Sequence, residues 1–344
     1  MQNSRFMKAV RGEKVDRPPV WMMRQAGRYM AEYRAVREKV SFLELCHNPQ
    51  LCAEVMVTAV EKLGVDAAII FSDLLPILVP LGFDLEFGPG HGPIIHNPVV
   101  KPEDLLRIKE LESLDELDFI METVRQTRAA LNPGLPLIGF AGAPFTLASY
   151  VLEGGASHSF NKTKRFMYNF PAEFNNLMAI LSRAVTKYLQ GQAASGAQAL
   201  QLFDSWVGCL SPQDYLQYVF PHVKYIIDEV ESAAPVIHFG TGNPALIPLI
   251  SRAGGTVIGV DWRISLPDAW QAINLGVLGQ RRSIQGNLDP AILLTNPEEI
   301  TRQVRKMIDS VRNQPGLIVN LGHGILPETP VENAIALVKA VGNY

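Results

Sequence analysis

Eight short apolar runs recur along the chain, each bounded by Gly, Pro, Ser or Asp: VWMM (20–23), AAIIF (67–71), PLIGF (136–140), ALQLF (199–203), PVIHF (235–239), TVIGV (256–260), RSIQG (282–286) and LIVNL (317–321). They are unbroken, where half-solvated strands would alternate, and that is the pattern of parallel strands buried on both faces. Stretches of helical period separate most of them, including 49–64, 113–131, 172–193, 212–231, 297–312 and 330–341. The last two open with Asn296 before Pro297 and Thr329 before Pro330, each read as a cap residue followed by proline at the first helical position. Strand-then-helix order repeated in this way predicts an α/β protein built as a (β/α)8 TIM-type barrel, in preference to a doubly wound open sheet.

Such a barrel routinely fills 344 residues as one domain. No Pro/Ser-rich linker, low-complexity tract or shift in composition divides the chain, so a single domain over 1–344 is expected. The glycine-rich stretch FGPGHGPIIHNP (87–98) reads as a surface excursion.

The 31 Lys and Arg nearly balance 34 Asp and Glu, with no basic run to neutralise a phosphate backbone, which argues against a nucleic-acid partner. Three cysteines, Cys46, Cys52 and Cys209, form no CxxC and no even framework, as suits a reducing compartment. The opening MQNSRFMKAVRGEKV lacks the apolar core of a secretory signal, so a soluble protein of the cytoplasm or a plastid stroma is expected. The most apolar window, 67–83, is short and broken by Asp73, Pro76 and Pro80; it reads as a strand, a turn and a short helix, not as a membrane span.

In a barrel of this type the active site lies where strands end and loops begin. Those ends read RQAGR (24–28), SD (72–73), AGAP (141–144), DSW (204–206), GTGN (240–243), DW (261–262), NLD (287–289) and GHG (322–324). Arg24 and Arg28 place two planar guanidinium forks, suited to carboxylate or phosphate, on one loop with Gly27; the bland alternative is a salt bridge to an acid such as Glu32. Asp73 is either a cap accepting a backbone N–H or an acceptor for a ligand's N–H donors and a stabiliser of a developing cation. Tyr150 is core or cleft, and Ser205 a cap or a hydroxyl donor, with no nucleophile elbow around it. His323, between two glycines at the last strand end, can donate to a carboxylate or transfer a proton. No HxxxH or HxxEH pair and no cysteine pair at zinc spacing supports a metal, and GTGN lacks the lysine of a phosphate-binding loop.

PVWMMRQAGRY (19–29) and GFAGAPFTLASYVLEGG (139–155) resemble the two signature segments of the uroporphyrinogen decarboxylase family. FSD (71–73), LFDSW (202–206), IQGNLDP (284–290) and NLGHG (320–324) resemble it too, in the family's order, so the resemblance spans essentially the whole chain. It implies loss of CO2 from the four acetate side chains of uroporphyrinogen to give coproporphyrinogen in haem and chlorophyll biosynthesis, without a cofactor or metal and by a homodimer. Carried onto this chain, the substrate-binding set is Arg24, Gln25, Ala26, Gly27, Arg28, Asp73, Tyr150, Ser205 and His323, with Arg37 on a less distinctive stretch. Asp73 would stabilise the cation formed by ring protonation, and Arg24 is the candidate acid beside a bound water.

Two rivals carry different chemistry. A cobalamin-linked methyltransferase of the same superfamily would need a zinc-binding His-x-Cys near the fifth strand, where this chain has His238-Phe239-Gly240. A non-catalytic tetrapyrrole carrier would keep the arginines and have no need of Asp73.

Overall fold

The computed structural model describes residues 1–88, 92–275, 281–312 and 314–344. Its strands are β1 (Ala68–Ile69), the hairpin β2 (Leu85–Phe87) and β3 (Pro93–Ile95), β4 (Leu137–Gly142), β5 (Ala199–Asp204), β6 (Val236–Gly240), β7 (Val257–Gly259), β8 (Ser283–Leu288) and β9 (Leu317–Leu321). Seven of the eight apolar runs lie side by side in one parallel sheet, in the order β1-β4-β5-β6-β7-β8-β9. Chain order thus matches spatial order, as successive strand–helix units winding in one sense require.

The first run closes the curl. Val20 bridges Val319 in parallel, the Trp21 N–H donates to the Val319 carbonyl at 3.2 Å, and the Val319 N–H donates to Pro19 at 2.8 Å. On its other side the Val20 carbonyl accepts from the Asp66 N–H at 2.7 Å, just before β1. The segment is a single bridge and not a full strand for a local reason. Met23 gives its N–H to the Asn320 side chain, and Arg24 then turns into the left-handed region at φ 63°.

Alternation along the strands sorts side chains between the barrel interior and the surrounding helices. Inside, the Trp21 indole donates to Gln285 Oε1 and Gln285 Nε2 donates to Gln201 Oε1, each at 3.0 Å, so this buried polar layer is satisfied across the barrel. Leu202, Asp204, Val236 and His238, on the opposite face of β5 and β6, belong to the sheet–helix layer.

The helices follow the periodic stretches with small shifts at their ends. The helix Pro49–Leu63 is capped by Asn48 and stopped by Gly64 at φ 72°; Pro171–Ala194 is the longest. The stretch 212–231 divides into Pro212–Tyr218 and Phe220–Val230, because Pro221 removes a helical N–H donor at the junction. Asn296 caps Pro297–Asp309 through the Glu299 N–H at 2.9 Å, as expected. Thr329 does not cap: Pro330 is extended at ψ 134°, the helix begins at Val331, and the buried Thr329 hydroxyl has no hydrogen-bond partner.

Part of the stretch 87–98 forms the antiparallel β2–β3 hairpin, and its residues 89–91 lie outside the described residues. The window 67–83 is β1 followed by a 3-10 turn at Pro76–Leu78. Among the described residues no helix is long and apolar enough to cross a membrane.

Candidate active site

A cleft of about 910 Å³ opens over the sheet's C-terminal edge, and the residues expected to act together line it: Arg24 to Arg28, Asp73, Tyr150, Ser205 and His323. Arg37 lines it as well. Phe71, Phe140, Phe203 and Phe239 supply apolar surface between these groups. The wall is therefore cationic at one side, apolar across its floor and acidic at one point.

The 24–28 loop is held rigidly. Gln25 is fully buried and its amide serves the scaffold: Oε1 accepts from the Met22 N–H at 3.2 Å and Nε2 donates to the Ala67 carbonyl at 3.2 Å. The Tyr29 hydroxyl donates to the Gln25 carbonyl at 2.7 Å. Gly27 cannot carry a side chain without shifting the turn, since a Cβ there would stand 2.9 Å from the Arg24 carbonyl. A non-glycine residue at positive φ costs on the order of 1 kcal/mol or more, and Arg24 is kept there by these flanking bonds.

Arg24 and Arg28 are exposed and form no ion pair among the described residues. Glu32, the acid that could have neutralised them, pairs instead with Lys62. Arg37 donates to the Val40 carbonyl and lies over the Phe42 ring at 5.7 Å, which fixes its direction along the cleft wall.

Asp73 combines both roles the sequence left open. Its Oδ1 accepts from the Leu75 N–H at 3.0 Å, so it does shape the turn, and the same carboxyl lines the cleft. Burial raises its pKa above the ordinary carboxylate range, against the opposing pull of the Leu75 N–H and the Arg24 guanidinium. A poorly solvated acceptor of this kind gains unusually much from ligand N–H donors.

Tyr150 is half-buried on the helix Pro144–Glu153, which Pro144 starts at its first position and Gly154 ends at φ 84°. Its ring meets Trp206 edge-on at 6.0 Å, and burial together with the Asp73 charge pushes its hydroxyl up to about 12, so it is a neutral donor. Ser205 follows β5 directly. His323 is half-buried; burial, with Arg24 and Arg263 nearby, holds its pKa down to about 4, leaving a neutral imidazole at physiological pH.

The family model of uroporphyrinogen decarboxylase matches residues 1–344. Relatives bearing that name are 46% identical in Carboxydothermus hydrogenoformans and 47% in Sorangium cellulosum, in both cases across 98% of this chain and 96% of theirs. In Chloroflexus aurantiacus the figure is 45%, across 99% of this chain and 96% of the relative. The chain belongs to the uroporphyrinogen decarboxylase family.

Solved structures of similar shape include a methyltransferase from Methanosarcina mazei, with TM-score 0.78 and 19% identity over 99% of this chain and 98% of that one. A B12-independent methionine synthase from Shewanella sp. W3-18-1 has TM-score 0.59 and 11% identity over 89% and 91%. At these identities the likeness concerns the barrel fold alone.

Both signature-like segments of this uroporphyrinogen decarboxylase family member converge on the cleft from different strand ends. The methyltransferase reading is not favoured: His238 is fully buried behind the sheet, and no group of three His, Cys, Asp or Glu suited to a metal occurs among the described residues. The GTGN turn is occupied by the protein itself, since the Thr241 hydroxyl and the Gly242 N–H both donate to Asp261 Oδ2 at 2.7 Å. Sequence reasoning missed Lys39 and the phenylalanines of the floor, which also line the cleft. Lys39 follows a helix and not a strand, so a search confined to strand ends passes over it.

Proposed function

We propose that the cleft removes CO2 from the four acetate side chains of uroporphyrinogen, giving coproporphyrinogen, within porphyrin biosynthesis. The observation that carries this reading is the union in one cleft of unpaired Arg24 and Arg28 with a poorly solvated carboxyl at Asp73. The substrate matches it in charge: eight carboxylates surround four pyrrole N–H groups. Arg24, Arg28 and Arg37 bind peripheral carboxylates by bidentate hydrogen bonds, and Asp73 accepts from the pyrrole N–H groups. Tyr150, Ser205 and His323 add neutral hydrogen-bonding groups, with the backbone of Gln25, Ala26 and Gly27 shaping the arginine loop.

The chemistry follows from the pyrrole. A proton added to the ring carbon bearing the acetate creates a conjugated iminium cation. The bond between the acetate methylene and its carboxylate then breaks, its electron pair neutralises the cation, and CO2 leaves. The resulting exocyclic methylene takes a proton to become methyl, and loss of the ring proton restores the pyrrole. Asp73 stabilises the cation where it forms. Arg24 or a bound water supplies the first proton.

The ring is its own electron sink, so the reaction needs no metal, flavin, pyridoxal phosphate or thiamine. The chain acts as a homodimer in the cytoplasm or a plastid stroma. Anaerobic incubation of chelator-treated protein with uroporphyrinogen, with products separated by carboxylate number, is the test. Accumulation of the four-carboxylate porphyrinogen is expected; recovery of unchanged substrate, or activity restored only by an added cofactor, would overturn the reading. Sedimentation equilibrium tests the dimer.

A further inference from the structure

Behind the cleft wall, Asp204 Oδ2 lies 3.9 Å from His238 Nε2, and both side chains are 0% exposed. That separation is longer than a hydrogen bond. Among the described residues neither Asp204 oxygen and neither His238 ring nitrogen has a hydrogen-bond partner, and the same is true of the Tyr215 hydroxyl on the helix Pro212–Tyr218. Tyr215 is close enough for the Asp204 charge to oppose its ionisation. Orphaned polar atoms are rare in buried layers, and here five gather beside the strand end that carries Ser205.

The groups facing Asp204 are His238 from β6, Tyr215 from the helix and Cys209 from the turn Val207–Cys209. No Lys or Arg among the described residues forms an ion pair with it. A carboxylate buried without donors costs several kcal/mol, whereas the neutral acid can direct its own proton at a neighbouring acceptor. Burial accordingly pushes the Asp204 pKa upward, against the pull of His238.

The chain runs from Asp204 straight to Ser205, which lines the cleft, and to Trp206, whose ring meets Tyr150 at 6.0 Å and Phe160 at 5.4 Å. We propose that Asp204 is a positioning residue that keeps its proton at neutral pH, sharing it with His238, and thereby fixes Ser205 and Tyr150 on the cleft wall. Ionisation would leave a charge in the sheet–helix layer with no counter-ion and draw the carboxyl toward water, dragging the Ser205–Trp206 turn with it. This inference rests on Ser205 and Tyr150 contacting the substrate, as proposed above.

The test compares the wild type with Asp204→Asn, a neutral isostere of the acid, and Asp204→Leu, using uroporphyrinogen turnover from neutral to alkaline pH. Asp204→Asn should keep the wild-type KM, while Asp204→Leu should raise KM about tenfold with kcat nearly unchanged. The wild-type KM should climb toward alkaline pH and that of Asp204→Asn should stay flat. An infrared difference spectrum between these two proteins at neutral pH should show the carbonyl stretch of a protonated carboxylic acid. Carboxylate bands in its place, KM profiles that superimpose, or an Asp204→Leu protein that loses only thermal stability would each overturn the proposal. If Asp204→Leu does not fold, the wild type and Asp204→Asn still decide it. Absence of turnover in the wild type would sink the decarboxylase reading instead, and the infrared result would stand apart from it.

Discussion

The Arg24 side chain lies across the bare Cα of Gly324: a Cβ built there would stand 2.5 Å from Arg24 Cδ and 2.9 Å from Nε. The glycine beside His323 is therefore space given to the arginine and not a demand of backbone conformation. Gly324→Ala should leave stability within about 1 kcal/mol, because only a flexible side chain must move, and should lower kcat/KM by roughly tenfold or more through a displaced guanidinium. Thermal unfolding and steady-state turnover of the variant check this; wild-type kcat/KM would mean that Arg24 is not needed where it now lies.

Arg28 is exposed and has no ion pair among the described residues, so its removal strands no buried charge. An arginine on a carboxylate that does not react binds ground and transition states about equally, and its loss should appear in KM and not in kcat. Arg28→Ala is expected to raise KM by about tenfold at nearly unchanged kcat, a loss of about 1.4 kcal/mol of binding. A variant whose kcat falls while KM holds would place Arg28 in the chemical step.

His323 and His222 both have pKa values held down to about 4, in each case chiefly by burial. In the unfolded chain histidine titrates near 6.5, so between about 6.5 and about 4 the unfolded state binds more protons than the folded one. Stability from these two residues is complete above that window and is lost as the pH falls through it. His323→Gln should flatten the fall of Tm with acid, and His222→Gln should do the same independently. Identical Tm–pH slopes in the wild type and the His323 variant would show that His323 is not buried as a neutral ring.

The strand pattern was legible because burial on both faces leaves a mark that each segment carries by itself. Seven runs became sheet strands, and the eighth, 20–23, is reduced to one bridge by a side-chain acceptor from Asn320 that no local pattern reveals. The Asn296 cap was legible for the same local reason, whereas Thr329 failed because the extended Pro330 moved the helix start by one residue. At the cleft, residue types at strand ends located Arg24, Arg28, Asp73, Ser205 and His323. Gln25 is instructive: it belongs to the same loop, yet its side chain turns inward to bind Ala67, a direction set by a strand more than forty residues away. The Asp204–His238 pair was hidden for a similar reason, since facing across adjacent strands is a property of register and not of spacing.

Asp73 offers the sharpest separation between architecture and chemistry, because one carboxyl serves both. Its Oδ1 accepts from Leu75 at 3.0 Å, and Asp73→Asn keeps an oxygen able to make that bond, so the turn into Pro76–Leu78 should persist and Tm should change little. What the substitution removes is negative charge in a poorly solvated place, where electrostatic stabilisation counts most. If the cation of the protonated pyrrole forms against this group, turnover should fall by on the order of 10² to 10³, comparable to the loss of one oxyanion-hole donor at about 3–4 kcal/mol. The neutral amide still accepts from pyrrole N–H groups, so KM should move much less than kcat. Single-turnover decarboxylation measured alongside thermal unfolding separates the cases. A folded Asp73→Asn protein with wild-type turnover would leave Asp73 as a turn residue and require another group in the cleft to stabilise the cation.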